Sequence, residues 1–159
     1  MSLPAAQYEM VKSSRKVVLN FCKSFTGSDY IKAVPDFGRG GSIRNLHVHT
    51  ANAYIFWLVN FAQDRSEAYF DPAQITLPSQ VNDAFLHVDE YVKEYLSIFH
   101  DKWHDPLSGE APGTGKNVVT TPLTLFTHMI THEFHHKGQV MTMGRILGYL
   151  PPDTDILRF

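Results

Sequence analysis

Thr131-His132-Glu133-Phe134-His135-His136-Lys137-Gly138-Gln139 decides how the chain is read. The stretch lies inside a longer segment whose ends are marked. Thr121 is a good N-cap and Pro122 suits the first helical position. Gly148, then Pro151 and Pro152, stop the pattern near Leu147. One long helix is therefore expected from Thr121 to about Leu147. On it His128, His132, His136 and Gln139 fall within an arc of about 80°, at 100° per residue. His135 lies just outside that arc, and Leu125 and Met143 extend the strip above and below. His132 and His136, four residues apart, share one face and can hold one metal ion. A strip of imidazoles on a core-facing surface needs partners, because burying polar groups unpaired is expensive. Gly138 and Gly144 sit inside the helix, each unfavourable by about 1 kcal/mol relative to Ala. Close approach of another helix or of a ligand is the expected reason for them.

The remainder supplies three more helices. Val11, Val18, Phe21 and Phe25 recur at helical spacing from Ala5 to about Phe25, with Gly27 and Ser28 ending the run. Lys12, Arg15, Lys16 and Lys23 are read as lying mostly off this stripe, and Cys22 as a small core hydrophobe. Ser42 caps a second helix whose inner face reads Ile43, Leu46, His49 or Thr50, Ala53, Trp57, and Asn60 or Phe61. His49 thus stands at a core position, either as a packed, hydrogen-bonded histidine or as a ligand. His47, roughly 200° away, is expected to face outward. Ser79 is read as the cap of a third helix reaching about Trp103. Its stripe of Val81, Phe85, Val88, Val92, Tyr95 or Leu96, Phe99 and Trp103 is the cleanest in the chain. Asp89 sits at the edge of that stripe and Glu90 on the far side, both read as solvated. Residues 29–41, 64–78 and 104–120 are connections, with a short extended piece at Asn117-Val118-Val119-Thr120. Gly38-Arg39-Gly40-Gly41 lacks the Lys-Ser/Thr ending of a phosphate loop and reads as a flexible link.

Composition bounds the chemistry. With 159 residues the chain is expected to be a single all-α domain spanning 1–159. A net charge of −2 without a basic face argues against nucleic acid. The lone Cys22 excludes an internal disulfide and a thiolate cluster, so any metal must be held by nitrogen and oxygen. No segment has the roughly 20 apolar residues of a membrane span. The first residues lack the pattern of a signal peptide, so the cytoplasm is the expected location.

Two chemistries fit the histidines. His132-Glu133-Phe134-His135-His136 matches the H-E-x-x-H pattern of zinc peptidases, with Glu133 as general base. Alternatively Glu133 lies to one side of the ligand face or accepts a hydrogen bond behind it. Neutral imidazoles suit zinc, nickel, copper, iron and cobalt rather than magnesium or calcium.

Ser42-Ile43-Arg44-Asn45-Leu46, His49-Thr50-Ala51-Asn52 and Trp57, then Thr121-Pro122-Leu123 and His132 to Gln139, together resemble the DinB-like (YfiT-like) superfamily. Gly148-Tyr149-Leu150-Pro151 and Asp153-Thr154-Asp155 are similar to its ending. The resemblance implies a four-helix bundle of up-down-down-up type with a long crossover, often a homodimer. It implies a divalent metal, zinc or nickel first among candidates, held by His49, His132 and His136. His128 and His135 are not ligands in that pattern; His128 is left as a pocket residue or catalytic candidate. The superfamily includes thiol-dependent transferases and isomerases and metal-dependent hydrolases. This chain is accordingly expected to be a metal-dependent enzyme acting on a small molecule, by transfer involving a low-molecular-weight thiol or by hydrolysis. A metal-binding protein without catalysis is the alternative. Gln139 and Asn52 are candidates to orient ligands or substrate from behind.

Overall fold

Capping chemistry and apolar spacing set where each helix begins. In the computed structural model, which describes residues 2–37 and 41–158, Ser2 caps α1 (Leu3–Cys22), its side chain accepting from Ala5 N. A five-residue helix, α2 (Gly27–Ile31), follows where the sequence reading had the end of one helix and the start of a loop. Gly38, Arg39 and Gly40, most of the glycine-rich link, lie outside the described residues. Ser42 Oγ accepts from Asn45 N at 3.1 Å and opens α3 (Ile43–Tyr54). The backbone then widens without a break into a π-helical stretch, Ile55–Phe61. After a single 3₁₀ turn at Pro72–Gln74 comes α4 (Pro78–Ile98). Its start is not capped by Ser79. Pro78 occupies the first turn, and Gln80 Oε1 reaches back to accept from Leu77 N at 2.9 Å and Thr76 N at 2.8 Å. The last helix, α5 (Pro122–Ile146), has Thr121 as cap, accepting from Thr124 N at 3.2 Å. Gly148 ends it at φ +93°, a left-handed turn that favours glycine, and Tyr149 N donates back to Gly144 O at 2.9 Å.

The molecule is mostly helical, with one short hairpin. β1 (Leu107–Glu110) pairs antiparallel with β2 (Asn117–Thr120), Leu107 opposite Thr120 and Glu110 opposite Asn117. The second strand is the extended piece visible in the sequence; its partner, which falls in the 104–120 connection, carries no alternating pattern.

α1 packs on α4 and α5, and α3 packs on the same two helices, so the four long helices close a ring around one core. Tyr54, Leu58, Val88, Val92, Tyr95, Phe126, Met129 and Met143 fill it. Burying each such side chain stabilises by roughly 1.5–3 kcal/mol. α2 packs on the outer side of α3. That contact corrects the reading of His47: it is buried, not outward, and its Nδ1 lies 3.1 Å from Tyr30 Oη of α2.

Cys22 is fully buried, and burial pushes its thiol up to about 12. The thiolate is the reactive form, so the folded protein should resist thiol-modifying reagents at neutral pH. Labelling in buffer against labelling in denaturant checks this, with slow and fast reaction expected respectively.

The two internal glycines of α5 differ. A Cβ at Gly144 would meet Phe21 Cε1 at 2.9 Å, whereas one at Gly138 would meet nothing within 4 Å. Helix approach explains Gly144, and nothing in the structure explains Gly138. Gly138→Ala should raise stability by about 0.5–1 kcal/mol through helix propensity. Gly144→Ala should gain less, or lose, because Phe21 must move. Urea midpoints of the two variants compare them directly.

Candidate metal centre

α5 carries His132 and His136 on adjacent turns, and α3 brings His49 against both. The ring centroids stand 4.4 Å apart for His132–His136, 4.9 Å for His49–His136 and 5.1 Å for His49–His132. One ligand nitrogen from each ring can be chosen so that all three lie within 4.8 Å of one another. Among the described residues this is the one such group of histidine, cysteine or carboxylate ligands. His136 is buried; His49 and His132 are half-buried.

The donor set fits a cation. His132 Nε2 and His136 Nε2 face each other at 3.1 Å. With metal–nitrogen bonds of about 2.0–2.1 Å, that separation corresponds to an angle of about 100° at the ion, between octahedral and tetrahedral values. His136 Nδ1 lies 2.6 Å from Gln139 Oε1, which as an acceptor holds the proton on Nδ1 and leaves the Nε2 lone pair directed at the centre. Burial, and then the neighbouring histidines His136, His49, His128 and His135, push His132 down to about 3. A neutral ring is the form that ligates. His132 Nδ1 is buried without a hydrogen-bond partner among the described residues.

The other candidates fall in different places. His128 is exposed, its ring 5.5 Å from His132 and 5.9 Å from Trp57, at the outer edge of the cluster. His135 is exposed, its ring 4.9 Å from His136. Asn52 has other work: its Nδ2 donates to Phe70 O at 2.9 Å and its Oδ1 accepts from Phe70 N at 2.8 Å, pinning the connection before α4 to α3.

Glu133 turns away from the three histidines into a buried polar cluster. Arg15 of α1 grips it with two bonds, Nε to Oε1 at 2.7 Å and Nη2 to Oε2 at 3.0 Å. Tyr54 Oη of α3 donates to Oε2 at 2.7 Å. Arg15 Nη1 also reaches Asp89 Oδ1 of α4 at 2.6 Å, and Tyr8 Oη donates to the same oxygen at 2.7 Å. The guanidinium lies 4.3 Å from the centroid of Phe85. Burial opposes the charge on Arg15, but Glu133, Tyr8 and Tyr54 together outweigh it, and the group is held above its ordinary range. Burial first, and then the Glu133 charge, keeps Tyr54 protonated.

Two sequence expectations are corrected by this cluster. Arg15 is buried rather than off the stripe, and Asp89 is its partner rather than a solvated acid. Two readings stand open for Glu133, and both of its oxygens are engaged as acceptors. The signal for Arg15 was present, since Val11, Arg15 and Val18 recur at steps of four and three. Its charge led to its being set aside, and long charged side chains are buried only when paired.

The DinB family model matches residues 1–159, the whole chain. The chain belongs to the DinB family. The comparison with curated proteins returned no match. The three histidines converging in this DinB-family fold are positioned to hold a metal ion. No helix of the described residues is long and apolar enough to cross a membrane.

Proposed function

We propose that His49, His132 and His136 ligate one divalent transition metal, zinc or nickel first among them, and that the protein is a metal-dependent enzyme acting on a small molecule. The observation that carries this reading is the convergence of three imidazoles from two helices, with the two Nε2 atoms 3.1 Å apart. Three neutral ligands add no charge, so the full double charge stays at the site, and three ligands leave coordination positions open. A bound ion of this kind supplies a Lewis acid that lowers the pKa of a water or a thiol toward neutrality. Gln139 fixes the tautomer and angle of His136, and one buried and two half-buried rings would hold the charge in a partly desolvated setting. We assign His128, exposed at the edge with its ring 5.5 Å from that of His132, as the side chain that meets an incoming substrate.

Both thiol-dependent S-transfer and hydrolysis use that chemistry. Family membership supports the same reading. The bundle winding up-down-down-up, the homodimer and the cytoplasmic location are further parts of the proposal; the ring of α1, α4, α3 and α5 supports the four-helix arrangement itself. The peptidase reading is weakened by Glu133, whose two oxygens are taken by Arg15 and Tyr54, leaving a poor general base.

The test is a panel of electrophiles offered with low-molecular-weight thiols, and of activated esters and amides, to protein made without a histidine tag and loaded with zinc or nickel. Turnover that vanishes with chelator and in His132→Ala is expected. Stoichiometric metal with no turnover across the panel points instead to a non-catalytic metal-binding protein. If Glu133→Gln abolishes hydrolysis while metal stays bound, the peptidase reading replaces this one.

A further inference from the structure

Beside His136, one of the three clustered histidines, lies a small cavity of about 20 Å³. Arg15, His47, Thr50, Glu133 and His136 supply its polar walls, and Val18, Phe85 and Val140 its apolar ones. All of these are buried; Lys137, which completes the lining, is half-buried. His47 is 6% exposed, and its Nε2 is buried with no hydrogen-bond partner among the described residues. A buried polar atom without a partner costs about 1–3 kcal/mol, so native structures rarely leave one.

The proton on that ring can be placed. Tyr30 Oη, fully buried, has His47 Nδ1 as its hydrogen-bond partner among the described residues, at 3.1 Å. A buried phenol must donate its proton, so Tyr30 donates and Nδ1 accepts. A neutral imidazole that accepts at Nδ1 carries its proton on Nε2. An N–H therefore needs an acceptor on the cavity side. Acceptor capacity stands there: a carboxylate has about four lone-pair sites, and Glu133 uses three, for Arg15 Nε, Arg15 Nη2 and Tyr54 Oη. Thr50 Oγ1 donates to Leu46 O at 2.9 Å and keeps its lone pairs. A volume of about 10–15 Å³ with two or more polar partners is enough for one water.

We propose that this cavity is a built site for a single water molecule, which accepts from His47 Nε2 and donates to the Glu133 carboxylate and Thr50 Oγ1. The water joins Tyr30 of α2, His47 and Thr50 of α3, Glu133 of α5 and Arg15 of α1 into one hydrogen-bonded chain beside the histidine cluster. The inference does not depend on which reaction, if any, the histidines support.

Two measurements on the wild-type protein test it. A diffraction map at about 1.2 Å resolution should show one ordered water within hydrogen-bond distance of His47 Nε2. A dry cavity, or an Nε2 bonded directly to a protein acceptor, overturns the proposal. Nitrogen-15 NMR of the histidine side chains at neutral pH should show His47 neutral with the proton on Nε2. A proton on Nδ1 overturns it as well, because Nε2 is then no donor.

Discussion

Arg15→Ala is expected to destabilise the fold by about 3–5 kcal/mol, the loss typical of removing one partner from a buried ion pair. The variant leaves Glu133 and Asp89 close together under α1 without a cation, and it removes the stacking on Phe85. Arg15 draws together α1, α4 and α5, with Tyr54 adding α3, so the loss reaches all four of these helices. Urea unfolding followed by circular dichroism measures it. Arg15→Lys should recover only part, since a point charge cannot reproduce the two-bonded grip on Glu133. A loss under 1 kcal/mol for Arg15→Ala would mean that the cluster contributes little more than a surface pair.

Removing a ligand is expected to produce the largest effect on binding. His49→Ala, His132→Ala and His136→Ala should each weaken zinc or nickel by more than ~100-fold, beyond the ~10–100-fold typical of losing a group behind a ligand. Gln139→Ala, which only frees His136 Nδ1, should fall within that smaller range. Asn52→Ala should leave affinity nearly unchanged, because its amide is committed to the Phe70 backbone. Competition against a chromophoric chelator ranks all five. Equal losses for His49→Ala and Asn52→Ala would remove α3 from the ligand set.

Much of the scaffold is legible in residue spacing. The stripe from Val81 to Tyr95 defines α4, and Thr121-Pro122 with Gly148 brackets α5, because apolar period and capping are local signals. α2 is not legible: five residues are too few to show a period, and its helix is held by packing on α3. The error at His47 follows from that omission, for without α2 nothing covers the far side of α3. The histidine cluster was readable because His132 and His136 share a face and the family resemblance supplied His49. The Arg15 cluster was not, since its members come from four helices and no single-helix pattern relates them. Charge at positions 15 and 89 points to exposure when each helix is read alone, and only tertiary pairing reverses it.

The central claim is tested most directly by anomalous diffraction at the zinc or nickel edge, on crystals of protein prepared without a histidine tag and soaked with the metal. The account predicts one strong peak per chain, about 2.0–2.2 Å from a nitrogen of each of His49, His132 and His136. A peak bound by His128 or His135 instead, or no ordered peak between α3 and α5, would contradict it.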